Sequence, residues 1–165
     1  MRTLKLILIL LMGITLANCS KDNEEPKQIT PQNYNDLNRS HIVAKEASMV
    51  QTNITTTNDA GLVWHVGDVI VYKTSEGKYG KFEILAIAQA ENYKLTIKCT
   101  TYANDGSVFV STNSLIVRGT YICDLDAASE LSNQSVNEDF FWNRQTNTIT
   151  YLTPCNNAKF VKYQF

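Results

Sequence analysis

Apolar and polar residues alternate along much of the chain after residue 68. The clearest case is the segment 93–102, in which Leu95, Ile97 and Cys99 occupy every second position and polar side chains lie between them. Because successive side chains of a β-strand point to opposite faces, this pattern predicts a strand with one buried face. The same pattern predicts that Cys99 is a buried thiol.

Further short strands are predicted, with turn residues between them. The predicted strands are residues 68–73, 79–88, 108–110, 114–117, 120–125, 148–152 and 159–165. The segment 79–88 has apolar residues on both faces, which predicts a strand that is covered on both sides. Short strands at about ten-residue spacing indicate an all-β domain, an antiparallel sandwich or barrel.

Two segments have less regular patterns. Residues 40–57 combine a helix-compatible first half with a Thr-rich second half, and we predict a mainly extended conformation. Residues 126–139 are polar and acidic, and we predict a loop with room for a short helix at residues 127–131.

The amino terminus has the organisation of an export signal. Arg2 and Lys5 precede an apolar run at residues 6–16, and Cys19 follows a short cleavage zone. The run is shorter than the about 20 apolar residues of a membrane-spanning helix. The junction resembles a lipobox, in which the cysteine is acylated after cleavage, although Asn18 replaces the usual small residue. We therefore expect Cys19 to carry a lipid anchor; an ordinary signal peptide with a chance cysteine is the alternative.

The residues after Cys19 indicate where the anchor is displayed. Residues 20–25 read Ser-Lys-Asp-Asn-Glu-Glu, which resembles the surface-export signal of Bacteroidota lipoproteins. This resemblance implies a lipid-anchored, surface-exposed protein of the outer membrane. Residues 19–39 are polar and contain two prolines, as expected of a flexible tether. The predicted organisation is a signal peptide at 1–18, a lipidated tether at 19–39 and a β domain at 40–165.

The charge and the cysteines of the sequence limit the classes of partner and metal site that we expect. Without the two basic residues of the signal peptide, the mature chain has 13 basic and 16 acidic residues and a net charge of −3. The sequence has no strongly basic patch, which argues against nucleic acid. Cys99, Cys123 and Cys155 show no metal-ligand spacing. An exported protein permits a disulfide between Cys123 and Cys155, but unpaired thiols are the favoured interpretation.

One hairpin carries a family resemblance. Residues 71–85 and the strand 93–102 are similar to the hairpin of HmuY-type haem-binding lipoproteins of Bacteroidota, which are all-β and displayed from a lipid anchor. The resemblance does not extend beyond Gly119, and no haem-ligand motif can be transferred with it. It implies haem as a candidate cofactor, for which His41, His65 and Met49 are the available ligands.

Enzymatic activity and calcium binding have weaker support in the sequence. The sequence contains two histidines and no nucleophile elbow, zinc-protease motif or phosphate-binding loop, so we do not expect an enzyme. Asp124 and Asp126 are weak candidates for calcium ligands. Their spacing fits no EF-hand, and a solvated acidic loop explains them equally well.

Aromatic residues among amides and acids are the best candidates for a binding site. We select Trp64, His65, Phe141 and Trp142 as candidate ligand-binding residues. Since consecutive strand residues point to opposite faces, at least one of residues 140–142 must face away from its neighbours. Exposed aromatic side chains of this kind bind sugars or protein partners.

We therefore expect a non-catalytic surface lipoprotein that binds an extracellular glycan or protein. Haem capture and immunity against a toxin are the alternatives. A capture protein should have a pocket lined by aromatic residues or by His41 and His65. An immunity protein should instead present a broad acidic or mixed surface without a pocket around residues 124–139.

Overall fold

In the described part of the chain, the strands predicted from alternation and further short strands assemble into two antiparallel sheets of five strands each. A computed structural model describes residues 30–52, 54–57, 64–144 and 149–165, with only the backbone described for 54–57 and 149. The sheets pack face to face as a sandwich, and no closed barrel forms among these residues. The prediction of an all-β fold is confirmed.

Ten strands lie in the described part of the chain. In chain order they are β1 (Ile54–Thr57), β2 (Val69–Lys73), β3 (Tyr79–Ala88), β4 (Lys94–Tyr102), β5 (Val108–Val117), β6 (Tyr121–Asp124), β7 (Ser129–Leu131), β8 (Phe140–Arg144), β9 (Ile149–Pro154) and β10 (Lys159–Tyr163). The first sheet has the order β10-β2-β3-β4-β5, and the second has the order β1-β9-β8-β6-β7. The described residues also form four short helices: α1 (Arg39–Val43) and 3-10 turns at Tyr34–Asp36, Glu46–Ser48 and Gln89–Glu91.

The main core lies between the sheets and is rich in aromatic side chains. Phe140 of β8 stacks on Phe82 of β3, with ring centroids 6.0 Å apart, and meets Phe160 of β10 edge-on at 5.9 Å. All three rings are fully buried. Burying a ring of this size stabilises the fold by about 1.5–3 kcal/mol, so these contacts hold the two sheets together.

Strand β4 confirms the alternation read from the sequence. Leu95, Ile97 and Cys99 are buried, and the residues between them are half-buried on the other face. In β3 the alternation is interrupted by a bulge, because Ile84 pairs with Ile97 but Ala86 pairs with Thr96. The extra residue, exposed Leu85, shifts the following side chains by one position, so that Ile87 packs against the main core.

A second, smaller core covers part of the outer face of the first sheet, over β2 and the first half of β3. Residues 31–48, which lead into the sandwich, contribute buried Tyr34, Leu37 and Ile42, and these pack against side chains of β2 and β3. Strand β3 is therefore covered on both sides along its first half, as predicted. Residues 31–39, predicted to be part of the tether, belong instead to the compact unit that begins at Pro31 and contribute Tyr34 and Leu37 to this core.

The conformation of residues 40–57 differs from the prediction in its first part. Residues 39–43 form α1 and residues 46–48 a 3-10 turn, whereas residues 54–57 are extended as expected. Asn38 begins α1 by a capping box: its side chain accepts the His41 N–H, and the His41 side chain accepts the Asn38 N–H. This local capping makes a five-residue helix that is too short to leave a clear apolar period.

Two further details correct the sequence interpretation. Residues 108–110 and 114–117 belong to one strand, β5, which remains continuous through bulges opposite β4. Residues 129–131 form strand β7 instead of a helix, because they pair with β6.

The expected signal peptide, Cys19 and the export signal lie outside the described residues. In the described part of the chain no helix has both the length and the apolar character needed to cross a membrane.

A buried lysine holds the second core in place. Lys81, on the outer face of β3, donates hydrogen bonds from Nζ to the backbone carbonyls of Tyr34 (2.6 Å) and Leu37 (2.5 Å). Its ammonium also lies 4.3 Å from the centroid of the Tyr34 ring. Burial, with a smaller contribution from Lys98, lowers the pKa of Lys81 to about 8. Lys81 thus joins the segment before α1 to the first sheet.

Replacement of this lysine should destabilise the fold more than replacement of a surface lysine. Lys81→Met leaves the Tyr34 carbonyl without its lysine donor, so we expect the free energy of unfolding to fall by about 1–3 kcal/mol. Lys94, at the start of β4, forms a partly exposed ion pair with Glu91. Its replacement, Lys94→Met, should lower the free energy of unfolding by less than about 1 kcal/mol. Urea denaturation measures both. Equal losses would show that Lys81 has no special structural role.

Candidate functional site

Strand β8 presents alternate aromatic side chains to opposite faces of the second sheet. Phe140 and Trp142 are buried in the main core, whereas Phe141 is half-buried on the outer face. The prediction that one of these three residues faces away from its neighbours is confirmed. The outer face of this sheet therefore carries an accessible aromatic ring, while the outer face of the first sheet is covered along β2 and the first half of β3 by the segment before β1.

A cleft of about 630 Å³ opens at Phe141. Its base is a row of side chains from three neighbouring strands, since Phe141 pairs with Ile122 of β6 on one side and Thr153 of β9 on the other. Cys155, just beyond the end of β9, continues the base. Ligand sites usually have volumes of about 300–1,000 Å³, so the cleft is large enough for a small molecule.

The wall of the cleft is formed by the connection from β7 to β8. Ser132, Asn133 and Gln134 line it, together with Glu138. Thr120, in the turn before β6, also lines the cleft. Asn133 and Gln134 are exposed. The wall therefore offers amide groups that can both donate and accept hydrogen bonds.

Hydrogen bonds fix the conformation of this wall. The Glu138 carboxylate accepts the Ser135 N–H at 3.0 Å. The Asn156 side-chain amide donates to the carbonyls of Ser135 (2.9 Å) and Glu138 (3.3 Å). Asn156 has a positive φ of 45°, which asparagine adopts more readily than most residues. The turn after β9 thus holds the β7–β8 connection beside the sheet.

Asp139, next to the cleft, forms hydrogen bonds to turns of both sheets. Its carboxylate accepts backbone N–H groups from Ser75 (2.6 Å), in the β2–β3 turn, and from Leu125 (2.7 Å), after β6. Its own carbonyl accepts the Cys155 N–H at 2.8 Å. Burial raises the pKa of Asp139 to about 7; the two N–H donors act in the opposite direction, and Asp126 adds to the rise. One fully buried side chain therefore links turns of both sheets next to the cleft.

The cysteines are unpaired in the described structure. Cys99 and Cys123 are buried in the main core, and Cys155 is half-buried in the cleft. No disulfide joins Cys123 to Cys155, in agreement with the favoured interpretation. Burial, and more weakly the neighbouring Glu138, raises the pKa of Cys155 to about 11. Its thiol is therefore protonated at neutral pH and is a poor nucleophile.

Three of the four candidate ligand-binding residues lie elsewhere. Trp64 and Trp142 are both buried in the main core, where their rings meet edge-on at a centroid distance of 6.4 Å. The Trp142 indole donates to the Tyr93 carbonyl at 2.7 Å, whereas the Trp64 indole nitrogen is buried without a partner. His65 is exposed beside a shallow depression of about 190 Å³ that Trp64 also lines. Only Phe141 belongs to the larger cleft.

The candidate haem ligands do not converge on the cleft. His41 is part of the capping box of α1, and Met49 is buried in the second core. His65 lies in the segment before β2, where its Nδ1 is 3.8 Å from the Asp68 carboxylate. None of the three lines the cleft. Haem binding remains a prediction of the hairpin resemblance, whose two strands and turn are present as β2 and β3.

The weak calcium candidates have local structural roles. Asp124 accepts the N–H groups of Asp126 (2.9 Å) and Ala127 (2.8 Å), so it shapes the turn after β6. Asp126 is buried and lies 3.4 Å from the Lys78 ammonium. Among the residues that the structure describes, no group of three or more His, Cys, Asp or Glu side chains is arranged to hold a metal ion.

Sequence reasoning found the aromatic residue of the cleft but missed the residues around it. Ile122, Thr153 and Cys155 are separated by up to 33 positions and meet only because β6 and β9 both pair with β8. The run Ser132-Asn133-Gln134 belongs to the loop that we predicted, but a polar loop gives no sign of which sheet face it borders.

Comparisons with known proteins add no relative. The chain matches no protein family, no curated protein and no solved structure. The class defined by fold and site is thus an antiparallel β-sandwich with an open cleft on the outer face of one sheet.

The half-buried Cys155 should be a selective chemical probe of the cleft. In the Cys19→Ser chain, we expect one thiol to react with a maleimide under native conditions, because Cys99 and Cys123 are buried. Its rate should rise about tenfold per pH unit between pH 7 and 9, since this range lies below the raised pKa. Mass spectrometry of tryptic peptides locates the label.

Cys155→Ser is the control, and it should abolish native labelling. Unfolding in urea should expose three thiols in the Cys19→Ser chain. Native labelling at Cys99 or Cys123 would contradict the packing of the main core.

Proposed function

We propose that this protein is a non-catalytic binding module, displayed on the outer membrane by a lipid on Cys19, that holds an extracellular ligand in the Phe141 cleft. The observation that carries the proposal is the cleft on the outer face of the second sheet, with an aromatic base and amide walls. A concave site with an apolar base and a few fixed polar groups is the usual form of a ligand site.

The chemistry of the cleft supports binding in preference to catalysis. Its ionisable groups are Glu138, which holds the Ser135 N–H, and Cys155, whose raised pKa keeps the thiol protonated. Neither residue has a histidine beside it among the residues lining the cleft. Burial and the Glu138 carboxylate beside Cys155 raise the pKa of the thiol, whereas a nucleophilic cysteine is activated by a lowered pKa, so this pair is poorly suited to nucleophilic catalysis.

The position of the cleft also bears on the immunity alternative. An immunity protein was expected to have a broad surface without a pocket around residues 124–139, but Ser132, Asn133, Gln134 and Glu138 of this region line the cleft. This favours ligand capture. Both a glycan and a protein are compatible with this proposed function.

The anchor predicts a clear fractionation result. Cys19→Ser removes the thiol that would be acylated, so we expect the protein to leave the membrane fraction and to keep an uncleaved or differently cleaved signal. Several acyl chains hold a protein at a bilayer because each buried CH₂ contributes about 0.8 kcal/mol. Cell fractionation and intact mass measure both effects. If the variant partitions into membranes like the parent protein, the lipoprotein assignment is wrong.

The cleft predicts that ligand binding depends on Phe141. We expect at least one of four ligand classes to raise the melting temperature of the lipoprotein in detergent: neutral oligosaccharides, acidic oligosaccharides, short peptides and haemin. A ligand at 100 times its Kd stabilises the folded state by about 2.7 kcal/mol. Phe141→Ala should abolish this shift.

Phe109→Ala is the matched control. Phe109 is an exposed phenylalanine on β5 of the other sheet and does not line the cleft, so its loss should leave the shift unchanged. A ligand that stabilises Phe141→Ala as much as the parent binds elsewhere and contradicts the proposal. The proposal is also wrong if none of the four classes gives a shift.

A further inference from the structure

The strands that form the base of the cleft, β6, β8 and β9, offer no free edge to a peptide, because each is paired on both sides. Strand β8 is paired on both sides, with β6 and β9, and β9 is paired with both β8 and β1. A peptide that binds by adding a strand needs unpaired backbone groups at a sheet edge. At the base of this cleft, therefore, a ligand meets side chains and not backbone donors and acceptors.

The charge of the cleft disfavours an anion. Among the described residues that line it, none is a lysine or arginine, and Glu138 is the one carboxylate. Arg118, two residues before the lining Thr120, is occupied by an ion pair with Glu130. Moving an anion out of water towards an unbalanced carboxylate costs free energy, so phosphate, sulfate and carboxylate ligands are poor fits.

The uncharged groups of the cleft match a sugar ring. Phe141 and Ile122 provide an apolar base, against which the C–H faces of a pyranose can pack. The amides of Asn133 and Gln134 and the hydroxyls of Thr120 and Ser132 both donate and accept hydrogen bonds, as sugar hydroxyls do. The Thr153 hydroxyl at the base is buried without a partner.

We infer that the ligand of the Phe141 cleft is a neutral saccharide, which packs a ring face on Phe141 and exchanges hydrogen bonds with the β7–β8 wall. This inference rests on the proposed function, because it names the ligand class of the same cleft. Glu138 has two roles in it: its carboxylate holds the wall through Ser135 and excludes acidic sugars.

Titration with matched sugars tests the inference. Calorimetry on the purified lipoprotein compares neutral di- and trisaccharides of glucose, galactose, mannose and N-acetylglucosamine with oligosaccharides of the corresponding uronic acids. We expect at least one neutral sugar to bind at least about tenfold more tightly than its acidic counterpart. Phe141→Ala should weaken the neutral sugar by about tenfold or more, and Phe109→Ala should not change it.

Glu138→Gln separates charge from structure. Glutamine keeps an oxygen that can accept the Ser135 N–H, so the charge is removed while an acceptor for the wall remains. The effect is therefore measured as the ratio of the neutral-sugar to the acidic-sugar affinity within this variant, whatever its absolute affinities are. The difference between the neutral and the acidic sugar should shrink by at least about threefold, because the repulsive charge is gone. An unchanged difference would overturn the role of Glu138 in excluding anions.

The outcomes distinguish the inferred ligand class, a neutral saccharide, from the proposed function of the cleft as a binding site. If an acidic oligosaccharide, a peptide or haemin binds in a Phe141-dependent way and no neutral sugar does, the ligand class is wrong and the binding module stands. If no ligand binds in a Phe141-dependent way, both are wrong. Labelling of Cys155 by maleimide provides a second readout, since a sugar in the cleft should slow it.

Discussion

Phe140 lies between the two sheets, and the arrangement of the cleft depends on its burial. Its ring is stacked on Phe82 and meets Phe160 edge-on, so a single residue of the second sheet contacts two strands of the first. Because a strand alternates its side chains, burial of Phe140 and Trp142 forces Phe141 to the outer face. The packing that stabilises the sandwich thus also exposes the aromatic ring that lines the cleft.

The two outer faces of the sandwich are unequal for a physical reason. Strands β2 and β3 carry Val69, Val71 and Tyr79 on the outer face of the first sheet, and these apolar side chains are buried under the segment before β1. That segment brings backbone carbonyls into an apolar layer, and Lys81 satisfies two of them. The outer face of the second sheet has half-buried side chains of mixed polarity, which can remain in contact with water.

The parts of the fold that follow from local periodicity could be predicted, and the parts that follow from pairing could not. Strand β4 has unbroken alternation, and its buried side chains, including Cys99, were identified correctly. The bulge at Leu85 is invisible in the sequence because it is defined by the register with β4. Likewise, residues 129–131 resemble a polar loop until β6 provides a pairing partner. Residues 31–39 look like part of a tether because their few apolar residues are spaced too irregularly to show a period.

In the candidate site, too, the features set by local periodicity could be predicted and those set by strand pairing could not. Alternation within residues 140–142 was enough to predict an outward-facing aromatic residue, but it could not say which residue that was, since the assignment depends on which face packs against the first sheet. The histidine and tryptophan candidates were chosen by residue type, and type does not distinguish a buried Trp64 from an accessible ring. Ile122 and Thr153 reach Phe141 only through the register of three strands. A cleft built across strands is a property of the sheet, so its ligand must be deduced from the side chains that the register brings together.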